Sequence, residues 1–94
     1  MQMAERIEQR LREALAPERV AVRDDSHQHE GHSGWRPGGE THFHVEVVAD
    51  CFAGQSRVNR HRLVYDALDA ELRDRVHALQ ITALTPDEAA ARTG

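Results

Sequence analysis

The chain has 94 residues, 12 basic and 16 acidic ones, and a formal net charge of −4 with its seven histidines neutral. A length this small favours one domain, which buries only about 60–65% of the surface its unfolded chain exposes and leaves no room for a second core around a deep enclosed active site. The acidic balance excludes nucleic-acid binding driven by overall charge, because phosphate contacts supply most of such affinity; any such role has to come from a local patch.

Met3, Ile7, Leu11, Ala14 and Leu15 recur at helical spacing and predict a helix over 3–15, ended by Pro17. The charged, amphipathic start MQMAERIEQR lacks the apolar run of a signal peptide, and no stretch is apolar enough to span a bilayer. A cytoplasmic protein without membrane contact is the expectation. "RVAVRDD", 19–25, alternates Val20 and Val22 with polar residues and reads as a short strand. "SHQHEGHSGWRPGGE" follows, rich in Gly, Ser and His, and predicts a flexible loop over 26–39.

"THFHVEVVA", 41–49, is the clearest strand. Thr41, Phe43, Val45 and Val47 form its core face, and His42, His44, Glu46 and Val48 face outward. The two strands make an antiparallel hairpin with a long tip, and loops of that length are often functional or disordered. "FAGQS", 52–56, is a turn with Ser56 placed to cap the next helix. Residues 57–74 are helical in pattern through Val58, Val64, Ala67, Leu68 and Leu72, with a break into two helices near Tyr65–Asp69. "HALQITAL", 77–84, is a third strand with Leu79 and Ile81 inward. Thr85 as a cap and Pro86 at the first helical position open a short helix near 86–91.

The order is α-β-β-α(α)-β-α. A strand–helix–strand return favours a right-handed crossover with the second and third strands parallel. The expected fold is a small α+β sandwich in a single domain, 1–94: a mixed three-stranded sheet with helices on one face.

Five histidines fall within "DDSHQHEGHSGWRPGGETHFH", 24–44. Two of His27, His29 and His32 could meet one metal, since imidazole suits zinc, iron, copper and nickel. No C-x-x-C or H-E-x-x-H spacing accompanies them, so on spacing alone an exposed polar loop with incidental metal affinity is the simpler reading. His42 and His44 read as surface histidines with cross-strand contacts. His61 borders the buried helical stripe and reads as a hydrogen-bonded histidine at the core edge. His77 opens a strand directly after the charged "LRDR", a place where sites are commonly built, although a satisfied boundary histidine fits too. Arg57, Arg60 and Arg62 with His61 form the one basic cluster; it could meet phosphates, or be a solvated face balanced by Asp66, Asp69 and Glu71. The single cysteine, Cys51, excludes a disulfide within this sequence, fits a reducing compartment and reads as a small apolar filler. No Ser/His/Asp arrangement, P-loop or dinucleotide fingerprint is visible, and no general base is paired with the loop histidines, so an enzyme is not expected.

"DDSHQH", "GGETHFHVEVVADCFAGQSRVNRHRLVYDAL" and "VHALQITALTPDE" together resemble the BolA family over residues 4–88, most specifically in "ETHF", "RHRLVY" and "VHAL". The resemblance implies an α-β-β-α-α-β-α fold similar to the class II KH fold, in agreement with the order read from periodicity. It also implies a monothiol glutaredoxin partner and a shared, bridging 2Fe–2S cluster. The glutaredoxin contributes a cysteine and glutathione a second thiolate. The BolA side contributes a histidine at the start of its last strand, matched here by His77, and a His or Cys in the hairpin loop three residues after a serine. Ser26 plus three is His29, with His32 and His27 as alternative loop ligands. The isolated chain is then a monomer without a cluster, and a heterodimer with its partner. Imidazole in place of thiolate raises a cluster's potential and makes ligation pH-sensitive. On this reading His77 is the anchor and His29 the adjustable ligand. A DNA-binding regulatory role, also attributed to family members, would use Arg57, Arg60, His61 and Arg62. "FAGQSR" has one glycine and departs from the G-x-x-G loop with which KH domains clamp a nucleic-acid backbone.

Overall fold

Three buried residues one helical turn apart, Met3, Ile7 and Leu11, define the inner stripe of the first helix, α1 (Met3–Leu15). The computed structural model describes residues 2–25, 42–74 and 76–93. The predicted loop over 26–39 lies outside the described residues. α1 ends at Ala16, which adopts a left-handed conformation (φ 45°, ψ 54°) and donates its N–H to the Arg12 carbonyl at 3.2 Å; Pro17 then prevents continuation.

The chain continues through β1 (Arg19–Asp24), β2 (His42–Val48), a short 3-10 turn (Asp50–Phe52), α2 (Arg57–Ala67), α3 (Asp69–Asp74), β3 (Ala78–Leu84) and α4 (Pro86–Thr93). The sheet order is β1-β2-β3. β1 runs antiparallel to β2, with Val20 opposite Val47 and Asp24 opposite Phe43. β3 runs parallel to β2, with His42 opposite Ala78 and Val48 opposite Leu84. The mixed sheet follows from the connections, since α2 and α3 carry the chain back so that β3 starts at the same end as β2.

Alternation along β2 places Phe43, Val45 and Val47 on the face that α1, α2 and α3 cover. They pack with Ile7, Leu11, Phe52, Val64 and Leu68 into one core, joined by the partly buried Val22, Leu79 and Ile81. The helical break falls at Leu68, whose N–H lies within reach of the Val64 and Tyr65 carbonyls before α3 begins. Both predicted caps form: the Asn59 N–H donates to Ser56 Oγ at 3.1 Å, and the Glu88 N–H donates to Thr85 Oγ1 at 3.2 Å. Thr85 N–H in turn donates to Glu88 Oε1 at 2.8 Å, completing a reciprocal capping box. α4 runs two residues beyond the predicted 91, to Thr93. Gly54 supplies the one positive-φ turn (74°) between the 3-10 segment and α2 among the described residues.

Three assignments change. Val58 is not a core residue but 60% exposed, in the first turn of α2. Val48, on the outward set, is buried; Pro86, Ala89 and Ala90 of α4 border it. Cys51 lies exposed on the 3-10 turn rather than filling the core, and partial burial, aided by Asp50, pushes its thiol up and away from the reactive thiolate.

Candidate functional site

β2 and β3 start side by side, and the site is built there. Val76, just ahead of β3, is buried in the core, and its N–H donates to the Glu71 carbonyl at 3.2 Å. Ala78 pairs with His42 in the parallel ladder. His77 stands between these two fixed points with its own side chain exposed. Its imidazole is thus presented to solvent from backbone held on both sides.

The ring of His42 lies against it, with centroids 5.5 Å apart and planes tilted by 52°. His42 was expected on a solvated strand face; it is only 6% exposed, with the ring of His77 against its own. Sequence reasoning therefore missed one of the two described imidazoles at this end. The signal was present in the parallel register: aligning the starts of the second and third strands sets residue 42 beside residue 78.

The loop histidines His27, His29 and His32 lie outside the described residues, but both ends of their segment are fixed here. The Asp25 N–H donates to the His42 carbonyl at 2.7 Å, closing the base of the hairpin loop next to His77. Arg23 grips the Asp25 carboxylate through two bonds, at 2.7 and 3.1 Å, and that contact raises the pKa of the Arg23 guanidinium. Arg23 Nη2 also lies 3.2 Å from His44 Nδ1, and His44 Nε2 lies 3.1 Å from Thr82 Oγ1. A guanidinium only donates, so Nδ1 accepts and the proton resides on Nε2, which donates to the threonine. His44 thus ties all three strands together on the outer face, in the cross-strand role expected of it. Among the described residues, no three His, Cys, Asp or Glu side chains converge on one point.

The basic cluster divides. Arg57 and Arg62 are exposed and carry no ion pair among the described residues. Arg60 is withdrawn from that set: it donates to the carbonyls of Gln55 at 3.0 Å and Ala83 at 3.1 Å, and to the Glu88 carboxylate at 2.6 and 3.3 Å. With a side chain only 15% exposed, it is a strut between α2, β3 and α4 rather than a hand for phosphate. His61 is half-buried and forms no hydrogen bond among the described residues, in contrast to the satisfied histidine expected. It lines an open groove of about 470 Å³ with Arg57, Arg60, Glu88 and Arg92 along β3. No helix among the described residues is long and apolar enough to cross a membrane.

Comparison with known proteins agrees with this architecture. The BolA-like protein family model matches residues 11–88. The solved BolA domain of SufE1 from Arabidopsis thaliana superposes with a TM-score of 0.81 at 47% identity, over 90% of this chain and 93% of that one. The Arabidopsis thaliana SufE-like protein 1, chloroplastic/mitochondrial, is 47% identical over 88% of this chain, which spans only 24% of that protein's length. The Escherichia coli DNA-binding transcriptional regulator BolA is 41% identical over 94% of this chain and 80% of its own. The chain belongs to the BolA-like protein family.

Proposed function

We propose that this chain is a non-enzymatic adaptor that binds a monothiol glutaredoxin and co-ligates a bridging 2Fe–2S cluster, in cluster trafficking or iron and redox regulation. The observation that carries the reading is His77: an exposed imidazole whose two sequence neighbours are held by the core and the sheet, beside the closed base of the hairpin. An iron–sulfur ligand on a donor protein has to be accessible to a second chain and yet held in place, and His77 meets both needs. His29 is four residues from Asp25, so chain connectivity keeps its Cα within about 14 Å of that fixed point. The partner's cysteine and a glutathione thiolate complete the set. When bound, such a cluster supplies one-electron redox chemistry and a transferable unit of iron and sulfide. His77 and the loop histidine hold their iron only as neutral imidazoles, so release is favoured by acid. The test is anaerobic reconstitution with a monothiol glutaredoxin and glutathione, followed by visible circular dichroism and complex mass. His77→Ala should abolish the heterodimer spectrum and His29→Ala weaken it. A spectrum unchanged by His77→Ala would end this reading.

A second reading is DNA binding, favoured by exposed Arg57 and Arg62, which form no ion pair among the described residues, and by the name of the Escherichia coli relative. It predicts salt-dependent affinity, with Arg57→Ala and Arg62→Ala each reducing the slope of log affinity against log salt by about 1. Affinity indifferent to salt would count against it.

A further inference from the structure

We propose that His42 and His77 together form a two-imidazole site for a divalent transition-metal ion of the zinc and copper class, occupied by this chain without any partner. The argument rests on their spacing. Imidazole nitrogen ligates such ions at about 2.0–2.1 Å, which sets a ring centroid about 3.2 Å from the metal and two ligand centroids about 5.2–5.5 Å apart. The two rings are 5.5 Å apart here and tilted by 52°, a separation that fits one ion held by a nitrogen of each.

The pair is also preorganised. His42 is 6% exposed, so packing restricts its rotamers. Its backbone is pinned from both sides, by the Asp25 N–H on its carbonyl and by the pairing with Ala78. His77 follows the anchored Val76. The backbone separation of the two residues is therefore set by the start of the sheet ladder.

With two protein ligands, the remaining coordination positions fall to water or to an incoming ligand. Such a site exchanges its metal readily, unlike a closed four-ligand structural site. It shares His77 with the glutaredoxin reading but needs neither the loop ligand nor the partner. One ring nitrogen cannot serve both metals, so a divalent ion in this site competes with cluster sharing.

The experiment is calorimetric titration of the intact chain with zinc chloride. Wild type should bind a single ion; His77→Ala and His42→Ala should each weaken binding by roughly tenfold or more, and the triple variant His27→Ala/His29→Ala/His32→Ala should stay within about threefold of wild type. Because His42 is buried, wild type is also titrated with substoichiometric copper(II) and followed by histidine-ring NMR. Selective broadening of His42 and His77 ahead of His44 and His61 supports the site without any substitution. Zinc affinity unchanged in His77→Ala, binding lost in the loop triple variant, or broadening that spares the pair would overturn it. No glutaredoxin is present, so a failed cluster assay leaves these readouts standing, and the reverse holds.

Discussion

Replacing Arg60 by alanine separates a structural arginine from its two exposed neighbours. Two of its bonds end on main-chain carbonyls, Gln55 at 3.0 Å and Ala83 at 3.1 Å. A hydrogen bond from a charged donor contributes about 1.5–3 kcal/mol when buried and about 1 kcal/mol when partly solvated. The Glu88 end of the side chain faces water and adds only a minor part. With the guanidinium side chain 15% exposed, the expected loss is about 2–3 kcal/mol. For a domain of this size that lowers Tm by roughly 10–20 °C. Arg57→Ala and Arg62→Ala should stay within about 0.5 kcal/mol of wild type. Arg60→Lys should recover only a minor part, because an ammonium cannot span both carbonyls and the carboxylate at once. Urea unfolding at pH 7, followed by far-ultraviolet circular dichroism, reads all four variants.

The acid limb gives an independent check on Arg60. Its hydrogen bonds, with help from the Thr85 N–H, hold the Glu88 carboxyl down at about 2, against an ordinary 4.5. A carboxylate whose folded pKa is depressed adds stability that is fully present above its unfolded pKa. That contribution drains away as pH falls from 4.5 toward 2. Arg60→Ala should flatten this limb without abolishing it, since the Thr85 contact remains. Arg60→Ala unfolding at the same urea midpoint as Arg57→Ala, with an unaltered acid limb, would refute the reasoning.

Two further outcomes follow from local features. Ala16→Gly should raise stability by about 0.5–1 kcal/mol, because residue 16 already occupies the left-handed region that a side chain disfavours; an unchanged melting temperature would contradict this. Glu71→Met should fall within about 1 kcal/mol of wild type, whereas Glu71→Ala should lose about 2–3 kcal/mol to the cavity left behind. Glu71 is 1% exposed; its Oε2 pairs with Arg6 at 3.1 Å and Arg10 at 3.6 Å, but its Oε1 is buried without a hydrogen-bond partner among the described residues, so an apolar side chain of similar volume sheds about as much desolvation cost as it forfeits in pairing. Thermal melts of the two variants side by side decide the matter.

The β2 core face was legible because alternation is a local property: Phe43, Val45 and Val47 needed only their own spacing. The caps at Ser56 and Thr85 were legible for the same reason, as each bonds a main-chain N–H three residues on. The partition among Arg57, Arg60 and Arg62 was not. Besides the nearby Gln55 carbonyl, Arg60 differs from its neighbours through Ala83 and Glu88, which are distant in sequence. His42 was misplaced because alternation fixes a face but not what lies over it, and here the ring of His77, just ahead of β3, lies against it. His77 was singled out by its position at a strand start and by the family resemblance together; its exposure and fixed backbone came only from the fold.

The parallel pairing of β2 with β3 makes this small molecule bipolar. Two strands of seven residues each separate the imidazole end from the far end by about 20 Å. At that far end Arg57 and Arg92 stand beside Ala83 and Leu84. Had β3 run antiparallel, Leu84 and not Ala78 would have stood opposite His42. As built, whatever approached His77 would leave Arg57 and Arg92 uncovered at the other end of the sheet.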